Sequence, residues 1–158
     1  MGTFIRISVL AAAGMILAAC AGGAAARGAG FDDIRGKQWK LEELRTAAGD
    51  SGFSRRALEE EGFGDAFSLQ FDGERLNGMA APNRYSAPYT LGEGQSLTFK
   101  PIAQTLMAAL KEPAALKEPE YFAYLEKVRR WALVEGRLEL YTETPEGQSA
   151  ALVFSAGE

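Results

Sequence analysis

Histidine is absent from this 158-residue chain, and cysteine occurs only once. Without histidine the chain has neither a Ser-His-Asp triad nor a Cys-His nucleophile pair, and its hydroxyl side chains have no evident base to activate them. A single cysteine excludes zinc fingers and thioredoxin-like redox pairs. We therefore expect no catalytic residues, no metal site and no cofactor.

A dense stripe of positive charge is missing as well. The 17 Lys and Arg residues are outnumbered by 21 Asp and Glu, which gives a formal net charge of −4. Nucleic acid is therefore not an expected partner, because phosphate backbones require clustered positive charge. What the chain does contain is 47% hydrophobic residues, including 9 Phe, 5 Tyr and 2 Trp. That composition predicts one folded domain with a substantial core.

The amino terminus has the pattern of a targeting segment. Arg6 supplies one positive charge and is followed by an uncharged, mostly apolar run over residues 7–19. The run is shorter than the roughly 20 residues of a membrane-spanning helix, but it suits the apolar region of a secretory signal. It ends in Leu17-Ala18-Ala19-Cys20, which resembles the lipobox of bacterial lipoprotein signals. The resemblance implies cleavage of residues 1–19, a diacylglyceryl thioether on Cys20 and acylation of the new amino group.

A lipidated Cys20 would make the membrane a partner of the protein. Several acyl chains, at about 0.8 kcal/mol per buried methylene, anchor a protein essentially permanently. The alternative is an ordinary cysteine buried in an apolar helix. Ala21, where an Asp would favour the inner membrane in enteric bacteria, makes the outer membrane the expected location. Residues 20–35 begin with an Ala/Gly-rich stretch and are predicted to be a flexible tether.

Period-two patterns predict a series of short strands. Trp39 and Leu41 share one strand face, and Phe67, Leu69 and Phe71 alternate with polar residues. A hairpin turn is predicted at Asp72-Gly73 and another at Glu135-Gly136. Further strands are predicted at residues 75–77, 85–91, 97–99, 131–134, 138–141 and 150–154.

Two helices are predicted among these strands. The polar stretch 45–65 is expected to be mostly loop, with a short helix over 54–61 that begins at the cap Ser54. The main helix is expected from Pro119 to about Arg130, with one apolar stripe and cations near its end. Because strands and helices do not alternate, the pattern predicts an α+β fold: a curved, partly barrel-like antiparallel meander with one main helix packed against it.

With these landmarks, residues 36–156 resemble the META-domain family, whose members include HslJ-like bacterial lipoproteins. The family pattern opens with Trp-x-Leu, here 39–41. Its centre, Gly-x-x-Gly-Cys-Asn-x-Tyr-x-Gly-x-Tyr, is similar to residues 78–89, and its Thr-x-Met-Ala-Cys is similar to residues 105–109. Terminal Leu-x-Leu and Leu-x-Phe strands correspond to 138–140 and 152–154. The resemblance implies a non-enzymatic role in binding or in envelope stress.

The chain departs from that family at both cysteines of the pattern. Pro82 stands at one position and Ala109 at the other. If the family cysteines form a bridge, this chain lacks one that would contribute about 3–4 kcal/mol. We therefore expect the domain to be held by core packing alone.

Three residues of the central motif, Asn83, Arg84 and Tyr85, form a candidate binding loop. The alternative for Asn83 is structural, because an Asn beside a proline commonly builds a turn through its side chain. The carboxylate run Glu59–Glu61 is interpreted as a solvated face, because adjacent residues point in different directions.

Three hypotheses about function follow. The leading one is a lipid-anchored cell-envelope protein with a META-like domain that is not an enzyme, with another envelope protein as a candidate partner. The second is a periplasmic-side carrier of a small hydrophobic ligand, motivated by the many aromatic residues. The least favoured is an Asp/Glu-dependent envelope hydrolase, because no pair of acids flanking a cleft can be assigned. The oligomeric state is left open.

Overall fold

The computed structural model describes residues 29–50 and 52–157. The predicted signal peptide, Cys20 and the first part of the predicted tether lie outside the described residues. Within the described ranges, no helix combines the length and the apolar character of a membrane span.

The described residues form ten strands and two α-helices. The strands are β1 (Gln38–Thr46), β2 (Gly49–Asp50), β3 (Ser68–Asp72), β4 (Arg75–Met79), β5 (Arg84–Leu91), β6 (Leu97–Phe99), β7 (Ala103–Gln104), β8 (Arg130–Val134), β9 (Arg137–Glu143) and β10 (Ser149–Ala156). The helices are α1 (Arg55–Glu60) and α2 (Glu118–Glu126).

One antiparallel sheet has the strand order β6-β5-β4-β3-β1-β10-β9-β8, while β2 pairs with β1 and β7 pairs with β5. The two ends of this sheet meet. Ser96 forms a bridge with Arg130, and the Leu97 N–H donates to the Arg129 carbonyl at 3.0 Å. The sheet therefore curls into a nearly closed barrel, which confirms the predicted α+β fold with a curved antiparallel sheet.

The two predicted hairpin turns have different outcomes. Glu135 and Gly136 connect β8 to β9 with φ of 51° and 78°, and positive φ at both central residues is the signature of a type I′ turn. At the other hairpin, Asp72 pairs with Arg75, so the turn residues are Gly73 and Glu74. That prediction is wrong by one residue because the β3–β4 ladder extends further than the hydrophobic alternation indicates.

The amino-terminal boundary of the domain also differs from the prediction. Phe31–Asp33 form a short 3₁₀ helix, and Phe31 packs against core aromatic rings, including Phe71 at 5.0 Å between centroids. Ile34 is fully buried, and its carbonyl accepts the Trp39 indole N–H at 2.9 Å. The tether predicted over 20–35 is therefore wrong at residues 31–35, which belong to the domain.

Both helices are found, one with a different end. Ser54 caps α1 by accepting the Ala57 N–H, as predicted. The helix α2 ends at Glu126 rather than near Arg130. The residues after it pair with β9 instead: the Arg129 N–H donates to the Tyr141 carbonyl at 3.0 Å. The predicted cations near the helix end therefore do not lie in its last turn.

Gly78 has the least room for a Cβ among the glycines that the structure describes. It lies in β4 between Leu69 of β3 and Tyr85 of β5. A Cβ at this position would overlap the Ser68 carbonyl oxygen and the Tyr85 ring. The missing side chain therefore allows the Tyr85 ring to lie directly over the strand.

Replacement of Gly78 by Ala is expected to lower the free energy of unfolding by about 2–3 kcal/mol, because the added methyl group forces backbone or ring to move. Urea denaturation measures this change. Gly64→Ala is the matched control, since a Cβ there meets only the Glu59 side chain at 3.5 Å. Equal effects of the two substitutions would contradict the packing argument.

Candidate functional site

The candidate binding loop follows a cis peptide bond between Ala81 and Pro82 and is attached to the start of α2. The Glu118 carboxylate accepts the N–H groups of Ala81 at 3.1 Å and of Asn83 at 2.9 Å. It also accepts the Asn83 side-chain amide at 2.7 Å. Charge-assisted bonds of this kind are stronger than neutral ones, so Glu118 fixes the loop to the helix.

The Asn83 side chain connects this loop to the segment after β7. Its Oδ1 accepts the Thr105 hydroxyl and the Met107 N–H, each at 2.7 Å, and its Nδ2 also donates to the Met107 carbonyl at 3.3 Å. Asn83 is 5% exposed. Because an amide has two donors and one oxygen that accepts two bonds, its capacity is used within the protein. The geometry therefore favours the structural interpretation of Asn83.

Tyr85 points into the barrel. Its hydroxyl donates to the Ser68 carbonyl at 3.0 Å and lies 2.9 Å from the Tyr121 hydroxyl. Burial raises the pKa of both tyrosines, so both stay protonated as hydrogen-bond donors. Tyr85 thus joins β5 to β3 and α2 from inside the core.

Arg84 is the one member of the predicted loop whose side chain is exposed. Its backbone N–H donates to the Thr105 hydroxyl at 3.2 Å, and its carbonyl accepts the Thr105 N–H at 3.0 Å. Among the residues that the structure describes, its guanidinium has no ion-pair partner. Arg84 lines an open groove of about 830 Å³.

This groove lies on the outer face of the barrel, across β1, β3, β4 and β5. A row of neutral polar residues crosses its floor because the strand register pairs Gln38 with Gln70, Gln70 with Asn77 and Asn77 with Ser86. We call these four residues the polar row. Gln104 of β7 and Arg84 lie at the far rim.

Internal hydrogen bonds order part of the polar row. The Ser86 hydroxyl donates to Asn77 Oδ1 at 2.8 Å and accepts from Arg75 Nε at 3.0 Å, while the Gln70 amide donates to the Gly36 carbonyl at 3.3 Å. The side-chain amides of Gln38 and Gln104, by contrast, make no hydrogen bond within residues 29–50 and 52–157. The groove therefore offers free amide groups beside an ordered floor.

Sequence reasoning did not identify Gln38, Asn77 or Gln104. The signal for Gln38 and Asn77 is faint: outward strand positions carry amides where solvated faces commonly carry Lys or Glu. The alternation indicates that these two residues face outward, but only the register of four strands brings them into the polar row. Gln104 reaches the rim only because β7 pairs with β5.

Two carboxylates of the described residues show environments that do not suit hydrolysis. Glu60 pairs with exposed Arg56 at 2.9 Å, in line with a solvated face. Glu139 binds Arg45 at 2.8 Å and the Tyr141 hydroxyl at 2.6 Å. Burial alone would raise the pKa of Glu139, but these two hydrogen bonds outweigh it and leave the pKa below its ordinary value. A general acid requires the opposite shift.

Together these observations define a small α+β protein with a nearly closed, barrel-like antiparallel sheet and a polar groove on its outer face. The model of the META domain matches residues 32–156, and the chain belongs to the META domain family. No curated protein matches the chain. The NMR structure of a protein from Burkholderia xenovorans is similar, with 20% identity, a TM-score of 0.57, and coverage of 80% of this chain and 85% of that one. At that identity the likeness concerns the fold alone.

Glu118→Gln is expected to lower the free energy of unfolding by about 1–3 kcal/mol, because a neutral amide has one acceptor oxygen for three donors and places an NH₂ group against them. Urea denaturation measures the loss, and faster hydrogen exchange at Ala81 and Asn83 locates it. Glu126→Gln, an exposed change on the same helix, serves as the control. If Glu118→Gln were no more destabilising than the control, the carboxylate would not hold the loop.

Proposed function

We propose that this protein is a lipid-anchored protein of the bacterial cell envelope and that its META domain is a non-enzymatic binding module. Two features support the anchor: the apolar run over 7–19 and the lipobox-like sequence that ends at Cys20. The expected membrane is the outer one, because Ala21 follows the cysteine. The resemblance to HslJ-like lipoproteins favours a role connected with envelope stress.

The groove is the observation that carries the binding proposal. The polar row presents amide and hydroxyl groups, which donate and accept hydrogen bonds, and Arg84 adds a positive charge without an ion-pair partner in the described part of the chain. Such a surface suits a polar ligand with several hydrogen-bonding groups and one acidic group. The ligand or partner would lie along the outer face of β3, β4 and β5.

The carrier of a small hydrophobic ligand has less support. The aromatic residues that suggested it pack against one another: the Tyr85 ring lies 5.9 Å from Tyr121, and Trp131 lies 5.3 Å from Phe31. Tyr141 lies under Arg130, whose guanidinium is 4.2 Å from the ring centroid. These side chains fill separate parts of the domain and do not surround a shared apolar pocket.

The anchor is tested by metabolic labelling with radioactive palmitate. The natural chain is expected to incorporate label, because Cys20 is the only thiol that can carry the diacylglyceryl group. Cys20→Ala is expected to lose it. Equal labelling of both chains, or mass analysis that finds residue 1 still attached, would overturn the anchor.

The groove is tested by a photoreactive amino acid in place of Gln104 in living cells. Illumination is expected to produce a covalent adduct, since this rim position borders the ligand surface, and Arg84→Glu is expected to reduce its yield severalfold. Gln148, an exposed glutamine in the β9–β10 hairpin, is the matched control position. Equal adduct yields at 104 and 148, or no effect of Arg84→Glu, would contradict the proposed site.

A further inference from the structure

The segment between β7 and α2 exposes large apolar side chains. Leu106 is 93% exposed, Met107 61% and Leu110 105%, with Ala108 and Ala109 between them. We call residues 106–110 the apolar loop. Single exposed leucines are common, but several in one protruding segment indicate a surface that is covered in use.

The apolar loop is held away from the core by its two ends. At its start, Thr105 and Met107 are bonded to the buried Asn83. Just past its end, the Lys111 ammonium donates to the Glu61 carbonyl at 2.9 Å and lies 5.5 Å from the Phe63 ring centroid. The exposed side chains therefore project from a fixed base.

We propose that the apolar loop inserts into the surface of a lipid bilayer. Its leucines protrude from a loop and form no concave surface, so they can enter the headgroup region separately. Arg84 stands beside the start of the loop. Past its end, Lys111 and Lys117 outnumber Glu112, which pairs with Lys117 at 2.8 Å. Bilayers with anionic lipids attract such cations.

This inference rests on the proposed lipid anchor, which places the domain near the membrane. The chain from Cys20 to Gly30 spans at most about 35 Å when extended. The ordered domain starts beside Tyr89, because Tyr89 contacts Phe31. Arg84 lies five residue steps from Tyr89 along β5, a length of about 17 Å. The tether is therefore long enough for the apolar loop to reach the bilayer that holds the lipid.

The test uses the full chain purified from bacterial membranes and reconstituted into phosphatidylethanolamine and phosphatidylglycerol vesicles. Leu110→Cys is labelled with an environment-sensitive fluorophore. Its emission is expected to shift to the blue and to be quenched by nitroxide lipids at a depth of about 5–10 Å. Leu91→Cys is the matched control, because Leu91 is 40% exposed at the other end of β5.

A second substitution, Leu106→Ser, is then added to the labelled Leu110→Cys chain. It is expected to lower the equilibrium constant between the membrane-inserted and the free loop by about tenfold, because the bilayer no longer buries that leucine.

Equal emission at positions 110 and 91 in vesicles would overturn the proposal, as would a blue shift without vesicles that grows with protein concentration, which would indicate a second copy of the chain. Failure of the anchor is detected separately by mass spectrometry. An unmodified Cys20 would react with a second fluorophore, so the labelled chain would carry two fluorophores and no lipid. Insertion at position 110 in that case would support the loop proposal and overturn only the anchor.

Discussion

The half-buried carboxylate of Glu118 is the constraint on which the rest of the site depends. It stands in the first turn of α2, where a negative charge is favoured by the helix dipole. Its oxygens accept three N–H groups from Ala81 and Asn83, so the β4–β5 connection is fixed to the helix. That fixation orients the Asn83 amide, which in turn holds Thr105 and Met107. The position of the groove rim and of the apolar loop therefore follows from one charged group.

The hydrogen bonds of Asn83 connect the two segments in which the family pattern has its cysteines. The resemblance places those cysteines at Pro82 and Ala109, and in this chain Asn83 bonds to Thr105 and Met107 between the same two segments. The expectation of core packing alone is therefore too simple. A disulfide stabilises mainly by restricting the unfolded chain, whereas these hydrogen bonds act only in the folded state and contribute about 1 kcal/mol each.

Local patterns predicted the parts of the structure that depend on neighbouring residues. The alternation of Leu69 and Phe71, the Glu135-Gly136 turn and the Ser54 cap are each decided within a few positions. Phe67, which the same alternation predicted to be part of the strand, instead precedes β3 with a φ of 53°. The end of α2 was missed because Arg129 bonds to Tyr141, and the amino-terminal boundary was missed because Phe31 packs on distant rings. Of the candidate loop, only Arg84 presents its side chain to the groove. The polar row itself depends on strand register, which no single segment of the chain encodes.

The groove and the apolar loop share one border. Arg84 and Thr105 exchange hydrogen bonds there, so the rim of the groove is also the base of the loop. If the loop lies in a bilayer surface, the groove opens beside the headgroups, and its amides face water next to the membrane. The Arg84 guanidinium then stands where a lipid phosphate and an acidic group of a ligand compete for it. One guanidinium cannot pair fully with both groups at once. A ligand in the groove would therefore lower the affinity of the loop for anionic lipid, and the two surfaces would be coupled through this side chain.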